Sequence, residues 1–395
     1  MMSVVLKDKK DIWGNLLPLT FTRSIAEIRV GIFTIAQKWQ RLLAANVSFL
    51  TEPFLQPLYT TPTVDNDTLI ISSNLLPTRH LADTLLTLNP GYALCFPSGE
   101  EIARRGNIDK NPDNITIYRE PLETIDHLYD IFLHNGKEIE ADTHLLTSDE
   151  FSSTSRLPES FFFENKIIGS IDNLFVHPSA TIQGAIVNLT HGPVYIGPEA
   201  IVMEGATIRG PLAVCRHSEI KMGAKIYENT TIGPDCKVGG EIANVVFIGH
   251  SNKAHDGFLG NSVIGQWCNL GAGTVASNLK NDYSEIKLWN YPSRRFLRTG
   301  LQFCGLFMGD HSKTGINTMI NTATVFGVGV NFHGAGYPRN FVPSFTEGSV
   351  AGLHEVPVNK FLDIAARVLA RRDLKLSDTE INFFRNLHSL TETYR

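Results

Sequence analysis

Val194-Tyr195-Ile196-Gly197-Pro198 opens, and Ile232-Gly233-Pro234-Asp235-Cys236-Lys237-Val238 closes, the stretch that decides the fold. Every sixth residue across it is aliphatic: Ile196, Val202, Ile208, Val214, Ile220, Ile226, Ile232 and Val238. Small or turn-forming residues recur beside them, as in Met222-Gly223-Ala224. An α-helix repeats every 3.6 residues and a half-buried strand every two, so neither produces this register. A period of six belongs to a hexapeptide-repeat β-helix, where each short strand turns one branched side chain inward before the chain rounds a corner. Three such strands make one triangular coil, and the aliphatics stack into a continuous core.

The register extends outward from this stretch. Val176 and Ile182 start it early, an excursion at Asn188 to Pro193 interrupts it, and it returns as Phe258, Ile264 and Leu270. Gly-rich repeats continue through Gly305, Gly309, Gly315, Gly327 and Gly329. Residues 1–160 show no sixfold period. Ser3 to Leu6, Thr68 to Ser72, Tyr92 to Phe96 and Asn114 to Tyr118 read as strands; Ile25 to Leu43 and Ile125 to Phe132 read as helices. Strands mixed with helices predict an α/β domain. Ser152 to Glu159, rich in Ser, Thr and Pro, reads as a linker. After Pro357, Phe361, Ile364, Val368 and Leu369 form one apolar helical face, and Ser377 to Glu380 is a capping box for a last helix. These helices are expected to cap the open end of the coil. The division is therefore 1–160 α/β, 161–356 β-helix and 357–395 C-terminal helices.

Composition narrows the function classes. A net charge of −5, with scattered basic residues, gives no reason to expect a nucleic-acid partner. Cys95, Cys215, Cys236, Cys268 and Cys304 include no CxxC pair, which predicts reduced thiols and a cytoplasmic protein. The first residues do not read as a signal peptide, and no stretch is apolar for long enough to span a bilayer.

The densest polar stretch is His250-Ser251-Asn252-Lys253-Ala254-His255-Asp256-Gly257, where the register breaks. A histidine there can take a proton near neutral pH. The bland reading is a solvated loop. Loops that leave a β-helix carry binding sites, which weighs against it.

At this point the chain resembles a known family. His255-Asp256-Gly257-Phe258-Leu259-Gly260, then Asn269-Leu270-Gly271-Ala272-Gly273-Thr274, then Asn278, is similar to the acetyltransferase domain of the bifunctional N-acetylglucosamine-1-phosphate uridyltransferase/glucosamine-1-phosphate N-acetyltransferases. Leu17-Pro18-Leu19-Thr20-Phe21-Thr22-Arg23 and Asn278-Leu279-Lys280-Asn281 resemble the variant branch of that family from Bacteroidetes-type bacteria. The resemblance implies a nucleotidyltransferase-like front domain joined to a left-handed parallel β-helix, working as a homotrimer on small-molecule substrates: a sugar phosphate, UTP with Mg²⁺, and acetyl-CoA. It implies His255 as general base, Asn269 and Phe258 as sugar-phosphate contacts, and Ala272, Gly273 and Asn278 at acetyl-CoA. Backbone N–H groups of Gly271-Ala272-Gly273 are expected to face the oxyanion. Phe258 stands where the family has Tyr, keeping the ring and losing the hydroxyl. Arg209, Arg216 and Lys253 are candidates for the sugar phosphate, Arg209 and Arg216 equally for solvated corners.

In the front domain the resemblance points to Thr20, Arg23, Arg29 and Asn74 for the nucleotide. The Gly-rich loop usual after the first strand is replaced by Lys7 to Asn15 with a single glycine, and Asn74 replaces the metal-binding Asp. An amide is a poorer Mg²⁺ ligand than a carboxylate. The metal ligands are left unassigned. Two rivals stand beside this reading. His217, His250 and His255 resemble the zinc histidines of γ-class carbonic anhydrases, also hexapeptide β-helices. The other rival is a sugar-nucleotide-binding scaffold with an inactive front domain.

Overall fold

The computed structural model describes residues 3–108, 110–147, 150–151 and 157–395. The linker expected over Ser152 to Glu159 falls partly outside them, at residues 152–156. Every sixfold position from Ile196 to Val238 is at most 2% exposed, in one apolar stack. The coil is a left-handed parallel β-helix. One face carries two-residue strands such as Ile201–Val202, Glu219–Ile220, Lys237–Val238, Asn252–Lys253 and Asn269–Leu270. On each, the first residue faces out and the second faces in. The second and third faces merge where the long strands Glu241–Gly249 and Phe258–Gln266 round a corner.

The front sheet has six strands: β1 (Val4–Lys7), β2 (Val47–Leu50), β3 (Leu69–Ser72), β4 (Tyr92–Cys95), β5 (Glu101–Arg105) and β6 (Asn114–Ile117). Their order is β2-β1-β3-β5-β4-β6, with β5 antiparallel to both neighbours. The helices are α1 (Lys10–Asn15), α2 (Ile35–Leu43), α3 (Arg79–Leu86) and α4 (Asp130–Thr143), then α5 (Glu159–Glu164) at the start of the coil and α6 (Val358–Ala370) and α7 (Asp378–Leu390) at the end of the chain.

Three expectations need correction. The helix over Ile25 to Leu43 is broken, because Gly31 takes φ +84° and the Gly31, Ile32 and Phe33 amides donate to Asn135 and Asp142 of α4. α2 begins only at the Thr34–Gln37 capping box. The helix over Ile125 to Phe132 starts later, since the Asp130 carboxylate accepts the Asp126 and His127 amides and holds the segment before it as a turn. The C-terminal helices do not cap the coil. They lie along one of its corners, where Glu199, His217, Asp235, His250, Trp267, His311 and Phe345 stack with φ between 53° and 61°. Phe361 of α6 and Phe384 of α7 set their rings edge-on against His311, and Phe383 stacks on Phe54 of the front domain. The coil ends are closed otherwise: Phe161 of α5 covers the first, and Gly352–Glu355 folds back antiparallel on Thr346–Ser349 at the last.

The front domain lies flat against the coil's third face. Phe132 of α4 stacks on Phe307, and Asn135 Nδ2 donates to the Asn229 carbonyl. Gly136 makes this approach possible, since a Cβ there would meet Asn229 Oδ1 at 2.0 Å. The excursion around Lys287–Asn290 and Arg295–Arg298 puts Tyr291 between Phe21 and Tyr394. Front sheet, coil face and C-terminal helices thus share one apolar core.

Candidate functional site

The turn His255–Gly257 occupies the corner between the coil's first and second faces. The turn Ala272–Thr274 lies directly on it: the Gly273 N–H donates to the Asp256 carbonyl at 3.2 Å, and the Asn317 N–H of the next coil donates to the Ala272 carbonyl at 2.7 Å. Glycine is required twice here. Gly257 has φ +124° with Thr274 O 2.1 Å from a would-be Cβ, and Gly273 has φ +71° with Asn317 Oδ1 at 2.1 Å. Two turns therefore pack backbone to backbone, and the His255 ring stands exposed at their edge.

Phe258 and Asn278 join this corner on the second face. Both reach over Gly260, whose Cβ would lie 2.6 Å from the Phe258 ring and 2.7 Å from Asn278 Nδ2. The Asn278 amide donates to Asn261 Oδ1 at 2.8 Å, a partner the sequence reading did not name. Asn269 points outward on the first face, in register with Asn252 and Lys313. The structure thus gathers His255, Phe258, Ala272, Gly273 and Asn278, with Asn269 across the corner. The oxyanion expectation is narrowed, because the Gly271 N–H donates to Thr314 and the Gly273 N–H to Asp256. Among these three, Ala272 alone has an N–H that no described partner accepts.

Two of the basic candidates sit elsewhere. Arg209 is on the same face as Phe258 but three strands away, about 14 Å at ~4.8 Å per strand. There it pairs loosely with Glu228 and lies over Tyr227. Lys253 takes an inward position of the coil, between Val238 and Leu270, and is fully buried. Its Nζ donates to the carbonyls of His255 at 2.5 Å and Asp256 at 3.0 Å. Burial pulls its amine down to about 8. An inward lysine has no path to a ligand on the outer surface. Nor are the three histidines brought together within one chain. His217 and His250 flank Asp235 on the corner of stacked positive-φ residues, whereas His255 is on another. Among the described residues no group of three or more His, Cys, Asp or Glu is placed to hold a metal.

In open α/β sheets ligands bind beyond the carboxyl ends of strands, where strand order reverses. Here that point lies between β1 and β3. Asp8 occupies it, accepting hydrogen bonds from Ser24, Thr51 and Ser73 hydroxyls and the Ile25 amide. Burial raises its carboxyl to about 6, against those bonds. Asn74, just past β3, donates Nδ2 to Asp126 at 2.7 Å and keeps Oδ1 buried without a partner among the described residues. Asn74 therefore lies at this crevice, directly after the Ser73 that donates to Asp8.

The other three front-domain candidates are committed to packing. Thr20 exchanges hydrogen bonds with Trp13. Arg23 is buried and paired with Asp310 of the coil at 2.5 Å. Arg29 donates to the carbonyls of Ile32 and, at 3.4 Å, Ile248. The reason is shared: the segment after β1 lies between sheet and coil, so its long polar side chains are desolvated and must find partners there. Asp8 and Asp310 were missed. An acidic residue directly after an apolar strand was the available sign for the first; the second has no local sign, being far in sequence from Arg23.

Residues 4–150 match a family described as sugar nucleotidyl transferase. The chain is 32% identical over 139 residues to the bifunctional sugar-1-phosphate nucleotidylyltransferase/acetyltransferase of Sulfurisphaera tokodaii, covering 30% of this chain and 34% of that protein. It is 34% identical over 107 residues to the bifunctional protein GlmU of Methanocaldococcus jannaschii, covering 27% and 23%. The chain thus spans about a third or less of these relatives. Among solved structures, LpxA from Acinetobacter baumannii is 18% identical, covering 57% of this chain and 82% of that one at a TM-score of 0.23. All five cysteines are free and buried, and no helix among the described residues is long and apolar enough to cross a membrane.

Proposed function

We propose that the chain is a bifunctional enzyme: the coil moves an acetyl group from acetyl-CoA to the amine of a sugar phosphate, and the front domain joins a sugar 1-phosphate to a nucleotide. The observation that carries this is the stacked pair of turns, His255–Gly257 on Ala272–Thr274, with Phe258 and Asn278 beside them. In this reading His255 takes the proton from the attacking amine, which contributes about 10²–10⁴-fold in rate. The Ala272 N–H faces the oxyanion of the tetrahedral intermediate. Small side chains at Ala272 and Gly273 leave room for the thioester. Phe258 offers an apolar face to the sugar ring, and Asn269 and Asn278 offer amide donors and acceptors. Glucosamine-1-phosphate is the acceptor of choice, and UTP the nucleotide. The exposed corner is completed by a second copy in a homotrimer, formed through the faces that the front domain leaves bare.

In the front domain the crevice at β1 and β3 is the nucleotide site of this reading. The orphaned Oδ1 of Asn74 and the carboxylate of Asp126 are oxygen donors of the kind Mg²⁺ takes beside substrate phosphates. When bound there, the ion would neutralise phosphate charge. Two assays test the pair of activities. Thiol release is followed with acetyl-CoA and glucosamine-1-phosphate, and pyrophosphate release with UTP, Mg²⁺ and N-acetylglucosamine-1-phosphate. The reading expects both products. Thiol without pyrophosphate would reduce the front domain to a binding module, and the absence of both would reject the reading.

A further inference from the structure

The coil core holds a buried lysine that its register does not explain. Lys253 stands where Val238 precedes it and Leu270 follows it in the same inward column. A buried lysine breaks the pattern of an aliphatic stack, and such local violations mark functional positions. Desolvation disfavours its charged form, so without a compensating role an aliphatic residue would be better there. The amine meets two carbonyl oxygens, those of His255 and Asp256. The Asp256 carbonyl also accepts the Gly273 N–H. One oxygen therefore ties the turn that carries His255 to the turn that carries Ala272, and Lys253 lies beneath that tie. Gly257 keeps the space open: a Cβ there would come within 3.3 Å of Nζ.

We propose that Lys253 is a positioning residue for acetyl transfer: an ammonium inside the coil that fixes the His255 and Asp256 carbonyls and so holds the imidazole against the Ala272–Gly273 turn. This rests on the acetyltransferase reading and differs from a substrate contact, since the side chain never reaches the outer surface. The two fixed peptide units, His255–Asp256 and Asp256–Gly257, are consecutive; the first begins at the His255 α-carbon, so holding it anchors the backbone from which the imidazole leaves. Both the protonated and the neutral amine have enough N–H groups for the two carbonyls. A misplacement of about 1 Å in a reacting group costs on the order of 10²-fold in rate.

The test compares wild type, His255→Ala and Lys253→Met in the full chain, with Lys253→Leu as the second variant should Met fail to fold. Melting temperature, amide hydrogen exchange over 254–258, and kcat and KM for thiol release from acetyl-CoA are measured. Lys253→Met should melt no lower than wild type, exchange at least about 10-fold faster over 254–258, and lose about 10²-fold in kcat with KM for both substrates within about threefold. A variant with wild-type exchange and wild-type kcat would overturn the proposal. So would a raised KM for the sugar phosphate with kcat unchanged, which would make Lys253 a ligand for substrate. If wild type itself releases no thiol, the acetyltransferase reading fails, and the exchange arm still decides whether the lysine holds the turn.

Discussion

The corner at His255 and the crevice at Asp8 make an instructive pair. At the corner, glycines at 257, 260 and 273 bring backbones and rings together and leave the imidazole facing outward. At the crevice, hydroxyls and an amide close around a buried carboxylate. The corner leaves an exposed side chain over closely packed backbone. In the crevice the protein's own groups surround the Asp8 carboxylate, and beside them the Asn74 Oδ1 is left without a described partner. The difference follows from the scaffolds. A coil stacks identical turns, so its corners need few side chains to hold them. An open sheet docked on another domain must satisfy every polar group its loops carry into the joint.

This contrast can be broken at several points. The largest effect belongs to His255→Ala, expected to lower thiol release from acetyl-CoA about 10²–10⁴-fold without changing the melting temperature. A comparable loss of stability would show that the ring holds the turn rather than the reaction. Next is the joint. Asp310→Ala leaves Arg23 buried without its carboxylate and should cost about 3–5 kcal/mol in denaturant unfolding, where an equally exposed surface pair would cost under about 1. A small effect would mean that water reaches the pair. Ile226→Ala removes one member of the aliphatic stack and should cost about 2–5 kcal/mol.

Two pH profiles sharpen the comparison further. Lys253 has its native amine near 8 against 10.5 when unfolded, so between those values the unfolded chain binds more protons. Wild type should therefore gain stability over Lys253→Met as pH rises from 7 to 10. Asp8 runs the other way. Its native carboxyl is near 6 against 3.8, so between these values the native state binds more protons, and stability falls as pH rises. Measured against Asp8→Asn, wild type should lose on the order of 2–3 kcal/mol between pH 3.5 and 6.5. A flat difference curve would place Asp8 in contact with solvent.

Legibility followed the same division. The register from Ile196 to Val238 was readable because each inward residue has a fixed place in a repeating turn. His255, Phe258, Ala272, Gly273 and Asn278 were picked out instead by their resemblance to a family motif, since the register breaks at His250 to Gly257. Lys253 lies in that break, beyond Val238, so its inward direction could not be read from the register. In the front domain the strands were plain, but Thr20, Arg23 and Arg29 were drawn into the joint by partners such as Asp310 and Ile248, distant in sequence. The start of the helix expected over Ile25 to Leu43 was misjudged because Gly31 and its neighbours bond to the side chains of Asn135 and Asp142, which no local pattern announces. The Thr34–Gln37 capping box was there to be read and marks the true start.

The central claim is that the His255 corner transfers an acetyl group to a sugar amine. The most direct measurement is to incubate the protein with acetyl-CoA labelled in its acetyl carbonyl carbon and glucosamine-1-phosphate, then follow the acceptor by NMR. The account predicts a new amide carbonyl on the sugar nitrogen with wild type and none above background with His255→Ala. Labelled amide formed equally by both proteins would contradict it, as would label that stays on coenzyme A or is released as acetate.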